Sequence, residues 1–269
     1  MPSEAALSVS LLNWSLQQFQ AFVIVLTRVA SILFFMPLLG TRYVPVMVKV
    51  GLALVCSLII LPLVAVEVRG VLFEPAGFVF YLIAELMIGL CLGLSIKLIF
   101  AGIQLAGEFI GYQMGLAMAS LIDPQSGVNT TVVAEFNYLA GLLLFLSLDG
   151  HHWFFKALVE SFREIVPGGV HLKSGLYLYL LQLSGKMFVV AVKLAAPITA
   201  IILFTQIALG LTARMVPQIN LLMASFPLTI GLGLLFWMFS LDLFAPYLQS
   251  LFDETGREMV HTLLPLIGR

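Results

Sequence analysis

The chain has 269 residues, 61% of them hydrophobic and only 10% charged, with a formal net charge of −1 and a mean hydropathy of +1.09. Soluble domains carry about 25% charged and about 45–50% apolar residues, so this much apolar surface requires lipid or other apolar protein to cover it. The near-neutral charge balance leaves no basic field to hold nucleic acid.

A bilayer crossing needs about 20 apolar residues, and candidate spans follow one another along the chain. The first is Trp14–Met36. Residues 1–13 contain no Lys or Arg, and the apolar run is too long for a signal core, so a permanent helix is expected there. Pro37 and Pro45 bracket the connection to Val46–Val66, and Gly70 to Pro75 lead to Phe78–Phe100. The sequence Asp123-Pro124-Gln125-Ser126-Gly127 has turn chemistry and separates the third region from Val132–Leu148. The segment from Asp149 to Ser174 reads as the one long polar connection, followed by Leu176–Leu203 and Leu221–Leu243. Pro62, Pro197 and Pro227 interrupt spans, while Arg214 and Pro217 mark the break before the last hairpin. The fold class expected is all-α: a polytopic integral membrane protein of helical hairpins, forming one membrane-embedded unit over residues 1–269. Six spans would place both termini in the cytoplasm by the distribution of basic residues.

Ionisable residues in such spans cost about 2.5–3.5 kcal/mol each on insertion scales unless they are paired or hydrated. Arg28, Glu85, Lys97, Lys186 and Lys193 are the candidates for charge pairing within or near the spans, beside Glu135 and Asp242. Lys186 and Lys193 lie seven residues apart and share a helix face. They could line a path through the bundle, or they could fix helix registry.

Gly107, Gly111, Gly115 and Ala119 recur every four residues, a continuous small face if the segment is helical, and Gly89 and Gly93 form a second small pair upstream. Small faces let membrane helices pack backbone to backbone. Repeated Gly also weakens a helix by about 1 kcal/mol each relative to Ala, and Tyr112, Met114 and Met118 lie between these small residues. Tight packing and a deformable apolar seal are both open readings. The adjacent His151 and His152, with His171 and His261 far away in sequence, offer no expected metal site. Cys56 and Cys91 sit in apolar runs and read as small hydrophobes. Phosphate loops, nucleophile elbows and HExxH pairs are missing, so neither an enzyme nor a cofactor is expected.

Several short pieces follow one another in a distinctive order: Arg28 with Pro37-Leu-Leu-Gly40, Pro45 and Lys49, then Glu85-Leu-Met-Ile-Gly89-Leu-Cys-Leu-Gly93, then Ala106-Gly107-Glu108, Gly115 and Asp123-Pro124. Ser161-Phe162, Pro167, Ala196-Pro197, Leu209-Gly210, Arg214, Pro217-Gln218, Asn220 and Pro227 complete the set. In this order and spacing the chain resembles the FliR family of flagellar biosynthetic membrane proteins, whose injectisome counterpart is the SctT family. The resemblance implies one subunit of a type III export gate in the bacterial inner membrane, at the flagellar basal body. It implies incorporation with FliP and FliQ family subunits into a helical hetero-oligomer, contact with FlhB and FlhA family proteins, and passage of unfolded exported proteins. It also implies that the region of Gly107, Gly111, Tyr112, Met114, Gly115 and Met118, turned back by Asp123 and Pro124, plugs the channel. A small-solute secondary transporter, with a midplane site at its helix breaks, is the alternative.

Overall fold

The computed structural model describes residues 4–41, 44–62, 64, 75–116, 132–171, 173–215 and 221–268. All regular structure in them is helical: α1 (Glu4–Phe35), α2 (Val46–Ile60), α3 (Pro75–Met114), α4 (Val132–Ser147), α5 (Gly150–Glu164), α6 (Ser174–Met215) and α7 (Leu221–Glu258). A π-helical turn, Met259–Leu263, leads into the short α8 (Leu264–Ile267).

Three helices are far longer than a membrane requires. α3 has 40 residues, α6 has 42 and α7 has 38; at about 1.5 Å per residue each spans roughly 60 Å, about twice a hydrocarbon core. Four helices among the described residues are long and apolar enough to cross a membrane, or five if α4 and α5 count as one broken span. The six-span count is thereby corrected for the described residues. α2 has only 15 residues and stops at Ile60, too short for a regular crossing. Pro197 lies inside α6 without ending it, as do Pro227 and Pro246 inside α7. In apolar surroundings a broken helix would strand backbone groups, so the chain keeps the remaining ladder and tolerates the lost bond.

The polar connection expected from Asp149 to Ser174 is largely helix α5. Phe154, Ala157, Leu158, Ser161 and Phe162 are buried on it, while His152, Lys156, Arg163 and Glu164 are exposed. That spacing is the stripe of an amphipathic helix, whose charged residues hide it from a search for continuous apolar runs.

The chain clusters into two compact units. The first comprises Met1–Lys97, Gly150–Leu180 and Glu254–Arg269; the second comprises Leu98–Asp149 and Leu181–Asp253. In the first, Ile24, Val25, Val29 and Ile32 of α1 pack in a core with Ile88, Leu92 and Ile96 of α3, all 1% exposed or less. The glycine pair of α3 makes this close approach possible. A methyl group on Gly89 would lie 1.8 Å from Ser31 Oγ, and one on Gly93 would lie 2.0 Å from Phe35 Cβ. In the second unit, Phe100 stacks on Phe252 at 5.7 Å, and Phe145 meets both rings edge-on. Gly107 brings α3 onto α4, where a methyl group would lie 2.5 Å from Ala134 Cα.

Replacing Gly89 with Leu should therefore push α1 from α3, a loss of about 1–3 kcal/mol by overpacking. Thermal unfolding of the detergent-solubilised protein should show a clear drop. Gly51→Ala, where nothing lies within 4 Å, should leave stability equal or slightly higher.

Candidate functional site

A buried polar node organises the first unit. Arg28, in the C-terminal half of α1, and Glu85, on α3, are both fully buried. Their side chains form a two-pronged ion pair: Arg28 Nε donates to Glu85 Oε2, and Nη2 donates to Oε1 at 3.0 Å. Arg28 Nη1 donates to the carbonyls of Ser161 at 2.8 Å and Ile165 at 3.1 Å, at the C-terminal end of α5. The guanidinium plane also lies 4.2 Å from the centre of the Phe162 ring. On the other side, the Gly168 amide donates to Glu85 Oε1 at 3.1 Å.

Geometry explains why arginine occupies this position. Its planar fork matches a carboxylate and keeps further N–H groups for helix-end carbonyls, and a cation is favoured at a helix C-terminus. Lysine would offer one point charge and could not reach both partners in register. Gly168 has a φ of +75°, and a methyl group there would lie 2.1 Å from the Tyr81 ring. Glycine is thus required both by the backbone conformation and by the space.

The segment after α5 continues from this node to the end of the chain. His171 N donates to Ile267 O at 2.9 Å and Lys173 N to Leu266 O at 3.2 Å, while Lys173 Nζ donates to Pro265 O at 2.6 Å. Three terminal carbonyls of α8 are satisfied in this way. His151 and His152 place their ring centroids 4.2 Å apart at the start of α5.

The lysines are placed differently from Arg28. Lys97 is exposed, with Nζ 5.5 Å from the Phe35 ring. Lys193 is also exposed, with Nζ 5.2 Å from the Tyr247 ring. Lys186 is half-buried on the same helix as Lys193. Aromatic faces attract ammonium groups at this range, so a carboxylate is not the only partner an apolar helix can offer a lysine.

In the second unit the glycine-spaced segment is helical only in part. α3 ends at Met114, and Gly115 adopts a φ of +86°. Gly115 N donates to Tyr112 O at 3.1 Å, and Leu116 N donates to Gly111 O at 3.0 Å. These two bonds form a Schellman cap. The expectation of one continuous helical face from Gly107 to Ala119 is corrected: the third glycine of the series stops the helix, because only glycine enters the left-handed region without a steric cost. Met114 is fully buried, whereas Tyr112 is 59% exposed. Gly107 and Gly111 are buried. Met118, Asp123 and Pro124 lie outside the described residues.

Sequence reasoning missed three polar residues that join these helices. Trp237 Nε1 donates to Asn137 Oδ1 at 2.7 Å, Asn137 Nδ2 donates to Ile103 O at 3.5 Å, and Thr229 Oγ1 reaches Met114 O at 3.2 Å. Buried amides in apolar helices carry the same desolvation cost that makes the charges noticeable, and Asn137 carries that signal.

Residues 19–255 match the family described as bacterial export proteins, family 1. The chain belongs to this family. It is 36% identical over 247 residues to the flagellar biosynthetic protein FliR of Pectobacterium carotovorum, covering 92% of each chain. To FliR of Escherichia coli it is 35% identical, covering 90% of this chain and 93% of the relative. To FliR of Bacillus subtilis it is 30% identical, covering 96% and 99%. Membership of an export family displaces the solute-transporter alternative, and the all-α, membrane-embedded class holds.

Removing one partner of the Arg28–Glu85 pair leaves a buried unpaired charge, a loss of about 3–5 kcal/mol. Arg28→Met and Glu85→Met should each sharply lower the folded yield from membranes. The double replacement should lose less than the sum of the two, as read from thermal unfolding of the purified proteins.

Proposed function

We propose that this chain is a subunit of the flagellar type III protein export gate in the bacterial inner membrane. It completes, and at rest closes, a channel for unfolded flagellar proteins. The observation that carries the reading is similarity over 90–96% of the chain to proteins named flagellar biosynthetic protein FliR. The exposed apolar faces support it. Phe188, Val192, Phe204, Ile207 and Leu211 on α6, and Leu234, Met238, Phe239 and Leu243 on α7, are exposed. On helices about twice the length of a hydrocarbon core, lipid covers only part of such surfaces. Neighbouring subunits cover the rest.

Those neighbours are FliP and FliQ family subunits in a helical hetero-oligomer, with FlhB and FlhA family proteins docking on the assembly. Gly107, Gly111, Tyr112, Met114, Gly115 and Met118, with the Asp123-Pro124 turn, form the plug. The role is structural: no step calls for a cofactor, and energy comes from other parts of the apparatus. Lys186 and Lys193 hold helix registry between subunits, and Arg28 and Glu85 hold it within this chain.

The test is native mass spectrometry of the chain co-expressed with its neighbouring membrane-protein genes. One copy in a larger hetero-oligomer is expected, and a stable lone monomer or homodimer contradicts the reading. Within an assembled complex, shortening the segment between Gly111 and Ala119 should raise ion conductance in reconstituted vesicles. Unchanged conductance removes the plug assignment.

A further inference from the structure

We propose that Thr229 and Gly233 of α7 are positioning residues that form a fixed seat for the end of α3 and thereby hold the channel closed. The inference rests on the plug reading and names the residues that position the plug's base. Met114 is fully buried, and its side chain occupies the space that a side chain at residue 233 would need. A methyl group on Gly233 would lie 2.5 Å from Met114 Cε, 2.7 Å from Cγ and 3.0 Å from Sδ. One turn earlier, Thr229 Oγ1 reaches the Met114 carbonyl at 3.2 Å. The same hydroxyl also faces its own helix, at Ser225 O and Phe226 O, so one proton is shared between α7 and the end of α3. Gly115, the capping glycine, rests on the Phe226 ring, where a methyl group would lie 2.7 Å from Cδ1 and Cε1.

Phe226, Thr229 and Gly233 succeed one another at helical spacing, so a single face of α7 meets three successive features: the cap, the carbonyl and the side chain of Met114. A methionine in a glycine notch adapts to small shifts without losing contact. The left-handed Gly115 fixes the direction in which the chain leaves α3. A seat of this kind sets where the plug begins.

The experiment uses the gate complex assembled with its partner subunits, with ion conductance per complex measured in vesicles and assembly measured separately. Thr229→Val keeps the shape and removes the donor, and conductance should rise roughly two- to tenfold, the population change that one hydrogen bond supports. Thr229→Ser restores the hydroxyl and should return conductance to the wild-type level. Gly233→Leu should leak more strongly. The complex with the segment shortened between Gly111 and Ala119 serves as reference. If the reference leaks while assembled Thr229→Val and Gly233→Leu complexes stay as tight as wild type, the seat is wrong and the plug stands. If the reference is also tight, the plug reading fails and the seat falls with it. A loss of assembly with unchanged conductance per complex assigns both residues to folding alone and overturns the proposal.

Discussion

The buried ion pair between Arg28 and Glu85 is the constraint on which the first unit depends. A guanidinium sealed from water has to meet acceptors along its whole edge, and only one arrangement of helices supplies them here. α3 brings the carboxylate, α5 brings the Ser161 and Ile165 carbonyls, and the turn beyond α5 returns the Gly168 amide to the same carboxylate. Apolar packing is tolerant of slippage by a turn, since one leucine contact replaces another. The pair is not, because any slip leaves a charge without a partner. It converts a loosely specified apolar bundle into one register.

Close helix packing depends on small residues in the same way. Water supplies no force between apolar helices within lipid, so contact area and backbone approach take over. Gly89 and Gly93 let α1 lie against α3, Gly107 lets α3 lie against α4, and Gly102 meets the Met187 carbonyl and Val190 on α6. Each glycine weakens its helix a little and gains contact across the seam. The exposed flanks of α6 and α7 show the opposite pattern, with bulky Phe and Leu facing outward. Such surfaces require lipid or other apolar protein to cover them.

The glycine series at the end of α3 performs two tasks with one residue type. Gly107 gives proximity, while Gly115 ends the helix by turning left-handed. From that point the chain leaves α3 in a direction set by a cap, with Met114 held in the notch of Gly233. Glycine serves proximity through its missing side chain and capping through its free backbone, so a single substitution rule cannot describe both positions.

Sequence alone determined the class of this protein. Runs of apolar residues too long and too uncharged for water require a helical membrane protein, and the ordered pieces around Arg28, Glu85 and Pro227 carry a family resemblance that the match over residues 19–255 makes firm. It also singled out Arg28 and Glu85, because a charge in an apolar run is conspicuous. What tertiary structure decided was partnership and extent. Hydropathy reports how apolar a segment is and not where its helix stops, so it cannot show that α2 ends early, that α6 and α7 run on, or that a polar stretch holds α5. Periodicity cannot show that Gly115 is a cap, since left-handed backbone depends on local hydrogen bonds rather than spacing. Nor can it join Thr229 or Gly233 to Met114, more than a hundred residues away in the chain. Long-range contact is set by how whole helices pack, and a hydroxyl or a missing side chain leaves almost no trace in composition.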